Sequence, residues 1–189
     1  MVQLGGGAEI TSDNARFFAA LLPVVLHIVS SVIYCVLGAF QFSPSFRRRK
    51  PIWHRAGGRI LVPCGLVVAL SGLWMTQFYL SVNFEGPFVY ALRLVVGSAM
   101  ALFQCLGLAS IRRRDIPCHR AWMMRSYAVD IGAGTQAFTL LPWLLFPRMQ
   151  GGLARAVCMG AGWAINVALA EWLISGERQT VRKSQKTGN

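Results

Sequence analysis

Histidine is the side chain whose proton comes and goes near neutral pH and whose neutral ring binds transition metals. This chain has three, His27, His54 and His119. Two of them sit in a repeated string: Arg47-Arg48-Arg49-Lys50-Pro51-Ile52-Trp53-His54-Arg55-Ala56 is echoed by Arg112-Arg113-Arg114-Asp115-Ile116-Pro117-Cys118-His119-Arg120-Ala121. Each copy lies between two long apolar segments, which places each imidazole at a membrane surface behind a basic cluster. If the helices opened by the two strings adjoin, His54 and His119 face each other in one layer, a geometry for haem b or a transition metal. The alternative is a pair of helix anchors, each ring in the interfacial region and each guanidinium on lipid phosphate, since ligands at the aqueous edge leave a haem partly exposed.

His27 is a third candidate ligand, about ten residues into the first apolar run and so near the bilayer midplane. A polar group there needs protein or water partners, and Asp130 and Gln136, at similar depth in the fourth run, are the expected ones. A lone hydrogen-bonded core histidine is the competing reading. Charges inside a bilayer cost about 2.5–3.5 kcal/mol each on insertion scales, so pairing is expected. Arg59, Arg125 and Glu171 fall in one layer with His54 and His119 and form a candidate polar network, to which Asp130 and Gln41 are added. A structural ion network accounts for the same residues. Arg93, two turns from the opposite face, can snorkel outward, whereas Asp130 is too deep to do so.

The elements that must position these groups are apolar helices. Hydrophobic residues make up 54% of the 189 and charged ones 14%, which argues against a soluble domain. A bilayer core needs about 20 apolar residues per helix, and five runs supply them, at 17–42, 56–80, 87–111, 121–146 and 153–175. The fourth is overlong and carries Arg125 and Asp130. The net charge of +12 would point to nucleic acid in a soluble protein, but its distribution explains it otherwise. Nineteen residues are Lys or Arg, and all but Arg16, Arg93, Arg148 and Arg155 fall in the first connection, the third connection, the C-terminal tail or the helix ends beside them. By the positive-inside rule the N-terminus is outside and the C-terminus cytoplasmic, as five crossings require. The same clusters attract anionic lipid headgroups at about 1 kcal/mol per basic side chain, so no nucleic acid partner is needed.

Cys35, Cys64, Cys105, Cys118 and Cys158 are scattered with no Cys-x-x-Cys pair, against disulfides or a zinc ribbon. Residues 1–16 are Gly-rich and polar, without the basic start of a cleavable signal; they form an external tail in which Ser12-Asp13-Asn14 offers an N-cap. The external turns are 81–86, ahead of Pro87, and 147–152. The domain is therefore 17–175, followed by a basic tail, 176–189, expected to be disordered. Small residues at one-turn spacing, Gly97 with Ala101 and Gly160 with Ala164 and Ala168, suit close helix packing, as does Gly132-Ala133-Gly134. Trp53, Trp74, Tyr79, Trp122, Trp143 and Trp172 gather at run ends as an interfacial belt. There is no phosphate-binding glycine loop, no His-Glu-x-x-His signature and no nucleophile elbow.

Gly38-Ala39-Phe40-Gln41-Phe42, Arg47, His54-Arg55, Gly58-Arg59 and Ser71-Gly72, followed by His119-Arg120-Ala121-Trp122-Met123, Arg125-Ser126-Tyr127 and Trp163, Asn166, Glu171 and Trp172, resemble the bacterial membrane-protein family catalogued as domain of unknown function 2306. The resemblance spans nearly the whole chain. It implies a multi-helix membrane protein, similar in layout to small haem proteins, and names no reaction. The chain departs from the family pattern in two places. Ala137-Phe138 stands where members often carry an arginine, and Asp130 stands where an uncharged residue is usual.

The sequence thus predicts an all-α, five-span bundle in the bacterial inner membrane. The leading function is a small b-type cytochrome-like or haem- or metal-handling protein using His54 and His119, with His27 as third candidate. The competing class is a non-enzymatic interaction or assembly factor whose basic loops hold anionic lipid or a membrane-protein partner. A proton-coupled transporter resting on His27 and Asp130 comes third.

Overall fold

The structure, a computed structural model, describes residues 21–79, 82–146 and 151–187. The 1–16 tail with its candidate N-cap, part of each external turn and the last two residues lie outside the described residues. Among the described residues there are helices and no strands. They are α1 (Leu21–Gln41), α2 (Pro44–Arg49), α3 (Pro51–Phe78), α4 (Val82–Arg112), α5 (Ile116–Thr139), α6 (Leu141–Leu145) and α7 (Gly152–Thr187).

Local chemistry sets the boundaries. Ser43 caps α2 by accepting from the Phe46 N–H at 3.4 Å, and Pro44 and Pro51 occupy first-turn positions where a missing N–H costs nothing. Asp115 caps α5, accepting from the Cys118 N–H at 3.1 Å. The turn before it closes through Arg114, a non-glycine residue at φ 61°. Gly86 breaks α4 at φ 78°, and Pro87 then starts its regular part.

The fourth apolar run is not one helix. Its helix begins earlier than expected, at Ile116, and ends at Thr139. Pro142 has no N–H to continue the ladder, so 141–145 forms the separate turn α6. At the other end of the chain, the tail expected to be disordered continues α7 as helix to Thr187. No proline interrupts it, and the Arg120–Glu177 ion pair ties its base to α5.

Among the described residues four helices are long and apolar enough to cross a membrane: Leu21–Gln41, Pro51–Phe78, Gly86–Arg112 and Gly152–Glu177. They present large apolar side chains outward, including Leu22, Ile52, Leu70, Phe78 and Trp172, as lipid-facing surfaces do. The fifth long helix, α5, carries Arg120, Arg125 and Asp130 and reaches the bundle differently. It packs along both α4 and α7 and touches α1. Ala121, Met124, Ser126, Ala128, Val129, Asp130, Gly132 and Gln136 are all buried there. Protein shelters this helix, so it needs less apolar surface than the others.

The order of neighbours is α1 beside α3, α3 beside α4, α4 beside α5, and α7 against both α5 and α4. The bundle therefore has a basic end, with both His-Arg strings, and an opposite end. Glycine allows the closest approach between α5 and α7: a β-carbon on Gly162 would lie 3.0 Å from the Gly132 carbonyl oxygen, and one on Gly132 would lie 3.0 Å from the Trp163 Cα. Gly132 thus packs as the sequence suggests, whereas nothing lies within 4 Å of a β-carbon on Gly134. The core centres on Tyr34, Leu61, Val68, Ala69, Met100 and Val129, drawn from four helices.

Candidate functional site

In the half of the bundle away from the His-Arg strings, the five long helices line a partly open cavity of about 400 Å³. His27 and Ser31 enter from α1, Gly72, Met75 and Thr76 from α3, Arg93 and Met100 from α4, Asp130 and Gln136 from α5, and Met159 and Trp163 from α7. That volume, with apolar walls and a few convergent polar groups, is typical of small-molecule sites.

The protonation pattern of His27 follows from its partners. Its Nδ1 lies 3.0 Å from the Val68 carbonyl oxygen and 3.0 Å from the Ser71 Oγ. The Ser71 hydroxyl donates to the Val67 carbonyl, so Nδ1–H has to donate to Val68. In the neutral ring the remaining nitrogen, Nε2, is then an acceptor. The ring can lie flat against α3 because Gly72 has no side chain: a β-carbon there would sit 3.2 Å from His27 Cε1.

Asp130 is 5% exposed. Ser31 Oγ donates to its Oδ1 at 2.9 Å and Cys35 Sγ to its Oδ2 at 2.8 Å. Each carboxyl oxygen accepts one hydrogen bond. His27 and Asp130 are within charge range of one another but share no hydrogen bond. The cavity thus offers two acceptors, an imidazole nitrogen and a carboxyl group, with Arg93 on the same wall.

A second polar cluster lies deeper, toward the basic end. Gln104 Nε2 donates to the Tyr34 hydroxyl at 2.7 Å and to Ser126 Oγ at 2.9 Å, and the Tyr34 hydroxyl donates to Ser126 at 3.2 Å. Gln104 and Ser126 are fully enclosed. A β-carbon on Gly65 would collide with the Gln104 amide and the Tyr34 ring, so a glycine on α3 makes the space for this cluster.

At the basic end the expected network forms only in part. Arg125 chelates Glu171 across the α5–α7 seam, Nε to Oε1 and Nη2 to Oε2 at 2.9 Å, with its guanidinium 4.6 Å from the Trp122 ring centre. Arg59 does not join them. It is exposed on α3, which is not a neighbour of α7. Gln41 packs where a β-carbon on Gly57 would be and takes no part either. The helices opened by the two strings, α3 and α5, are not extensively packed against each other. His54 nonetheless lies within charge range of His119. His119 Nδ1 donates to the Gly107 carbonyl at 2.8 Å, and His54 Nδ1 is buried without a partner. Among the described residues no three His, Cys, Asp or Glu side chains come together as a metal site.

The sequence reading places His27, Asp130 and Gln136 around one space but misassigns the partners. Gln136 donates instead to the Met159 carbonyl, at 3.3 Å. Ser31, Cys35, Tyr34, Ser71, Gln104 and Ser126 were missed as site residues. A signal was present: His27, Ser31 and Tyr34 recur at i, i+4 and i+7, and Ser126 and Asp130 at i, i+4, two polar stripes on one face of each helix.

The family model described as "Predicted membrane protein (DUF2306)" matches residues 24–174. No curated protein and no solved structure matches the chain.

Proposed function

The chain belongs to the DUF2306 family of predicted membrane proteins, and from that premise we propose that it is a five-span protein of the bacterial inner membrane that binds a small, largely apolar molecule in its interior cavity. The bound molecule supplies a hydrogen-bond donor or a positive charge to His27 Nε2 and the Asp130 carboxylate. One observation carries this reading: two acceptors wall a single cavity of about 400 Å³ built by all five long helices. In this reading α5 is the fourth span, the N-terminus is outside, and the basic end faces the cytoplasm, where its arginines hold anionic headgroups.

The test is a thermal-shift screen of the purified protein with small amines, phenols and hydroquinones. A ligand at about 100 times its Kd stabilises by about 2.7 kcal/mol, a readable shift. Compounds that stabilise the wild type but neither Asp130→Asn nor His27→Ala support the cavity. Compounds that stabilise all three proteins equally would refute it.

A haem b reading on His54 and His119 keeps one supporting observation. The His119 Nδ1 bond to the Gly107 carbonyl fixes the tautomer that leaves Nε2 available, as in most ligating histidines. A reducible Soret band in protein expressed with ample haem, lost in His119→Ala, is its test. A colourless preparation removes it.

A further inference from the structure

The basic residues of the two repeated strings fall into two classes. Arg48, Arg49, Arg113 and Arg114 are exposed, and water suffices for them. Arg47, His54 and His119 are half-buried, and basic groups partly out of water need an anion or other acceptors. The acids at this end of the bundle are already engaged: Asp115 caps α5 on the Cys118 N–H, Glu171 is chelated by Arg125, and Glu177 is paired with Arg120. Among the described residues the Arg47 side chain makes no hydrogen bond or ion pair, and neither does the ring of His54.

Helix register brings these groups to one layer. Gln104 bonds Ser126 and fills the space beside Gly65, so these residues share a level on α4, α5 and α3. His119 is seven residues from Ser126 and His54 eleven from Gly65, both toward the basic end. At 1.5 Å per residue their Cα atoms differ by about 6 Å in depth. Arg47 is on α2, which packs on α3, and His54 lies within charge range of both Arg47 and His119. The His119 Nδ1 is held by the Gly107 carbonyl and the His54 Nδ1 is enclosed. The nitrogen each ring has left for a ligand is therefore Nε2. The two strings also differ at one telling place: α3 starts at Lys50, without a side-chain cap, where α5 starts at the capping Asp115. The Ile52 and Trp53 N–H groups are thus added donors beside His54. Within one turn of His54 or His119, Ile52, Trp53 and Ile116 are 72%, 68% and 54% exposed.

We propose that Arg47, His54 and His119 form a binding site for the phosphate of one anionic phospholipid, whose acyl chains lie along Ile52, Trp53 and Ile116. The guanidinium supplies charge and a forked pair of donors, and each imidazole donates from Nε2, His119 in its protonated form. Exposed apolar side chains beside the donors select a lipid over a soluble phosphate, because they would otherwise face water at the membrane surface. The inference rests on the proposed function only in placing this end of the bundle at a headgroup layer. It is independent of the cavity, and it uses the imidazoles that a haem would need, so those two readings exclude each other.

Native mass spectrometry in a neutral detergent with added phosphatidylglycerol counts the bound lipid and gives its affinity. The wild type is expected to hold a first phosphatidylglycerol more tightly than any that follow. Arg47→Gln and His54→Asn are each expected to weaken that first binding about tenfold. Arg113→Gln, which removes an exposed charge from the same strings, is expected to weaken it less than about threefold. Equal weakening in all three variants would reduce the binding to general surface charge and overturn the site, as would a wild type with no tight first lipid. Inorganic phosphate at the same concentration is expected to leave the lipid in place; displacement would make the occupant a soluble phosphate and overturn the lipid assignment. Should Arg47→Gln fail to fold, His54→Asn against Arg113→Gln carries the comparison. Ligand stabilisation that depends on Asp130 is measured separately, so the cavity reading and the lipid site can fail independently.

Discussion

Replacing Gln104 with Met is informative because its energetic outcome depends on whether the amide oxygen is satisfied. Methionine is unbranched and of similar reach, so it fits the space beside Gly65 that the amide now fills. The substitution removes two hydrogen bonds, at 2.7 and 2.9 Å, worth about 1 kcal/mol each in net terms. Tyr34 and Ser126 keep their own bond at 3.2 Å, so no new orphan arises. If Gln104 Oε1 is truly unpartnered, the substitution also removes a desolvation penalty of about 1–3 kcal/mol, and the two effects cancel to near zero. If a water satisfies that oxygen, no penalty exists to be removed. The loss is then about 2–3 kcal/mol, once the bond to the water is included. Reversible unfolding in mixed micelles, compared between wild type and Gln104→Met, separates these outcomes. Destabilisation of about 2 kcal/mol or more is expected. A change within about 0.5 kcal/mol, or a gain, would refute a water bound at Gln104 Oε1, which has no protein partner.

Gly162→Val should cost about 1–3 kcal/mol by forcing α7 away from the Gly132 backbone, whereas Gly134→Ala, with nothing near its β-carbon, should leave the unfolding midpoint unchanged. Glu171→Gln should cost about 1–2 kcal/mol, less than a fully buried pair because Glu171 is 44% exposed. The exchange Arg125→Glu with Glu171→Arg should recover part of that loss in a double-mutant cycle. Arg114→Gly should stabilise by about 0.5–1 kcal/mol, since glycine adopts a φ of 61° without strain; thermal unfolding that is unchanged or earlier would contradict it. A reporter fused after Asn189 should be active in the cytoplasm only, and one at Met1 in the periplasm only. Matching signals at both ends would remove one crossing.

What could be read from the sequence was periodic or compositional. The apolar runs located α1, α3, α4 and the start of α7 within a few residues, because lipid-facing helices have to be apolar along their membrane-spanning length. The fourth run was harder: protein covers most of α5, so its ends are set by the Asp115 cap and by Pro142 rather than by hydropathy. Depth was also legible. His27, Asp130 and Gln136 do wall one cavity, and Arg125 and Glu171 do pair. Lateral neighbours were not, since nothing in one sequence says that α3 is remote from α7. Arg59 was therefore grouped with a pair it does not reach. The partners of His27 were invisible for another reason, being a backbone carbonyl and a serine on a helix whose rotation is fixed only by packing. Helical continuation past residue 175 was missed because composition alone favoured disorder there.

The sheltering of α5 bears on how the protein is made. Arg125 and Asp130 alone oppose its partition into lipid by about 5–7 kcal/mol, and the groups that offset them, Glu171 on α7 and Ser31 and Cys35 on α1, belong to other segments. One of these is synthesised first and the other last. In the five-span arrangement proposed above, α5 meets the insertion machinery before Glu171 exists, and it has to be retained beside α1 and α4 until α7 emerges. Insertion and folding are a single event in that arrangement. A chain ending before Glu171 would leave α5 outside the bilayer, recognisable by its accessibility to protease, even though every residue of that helix is present.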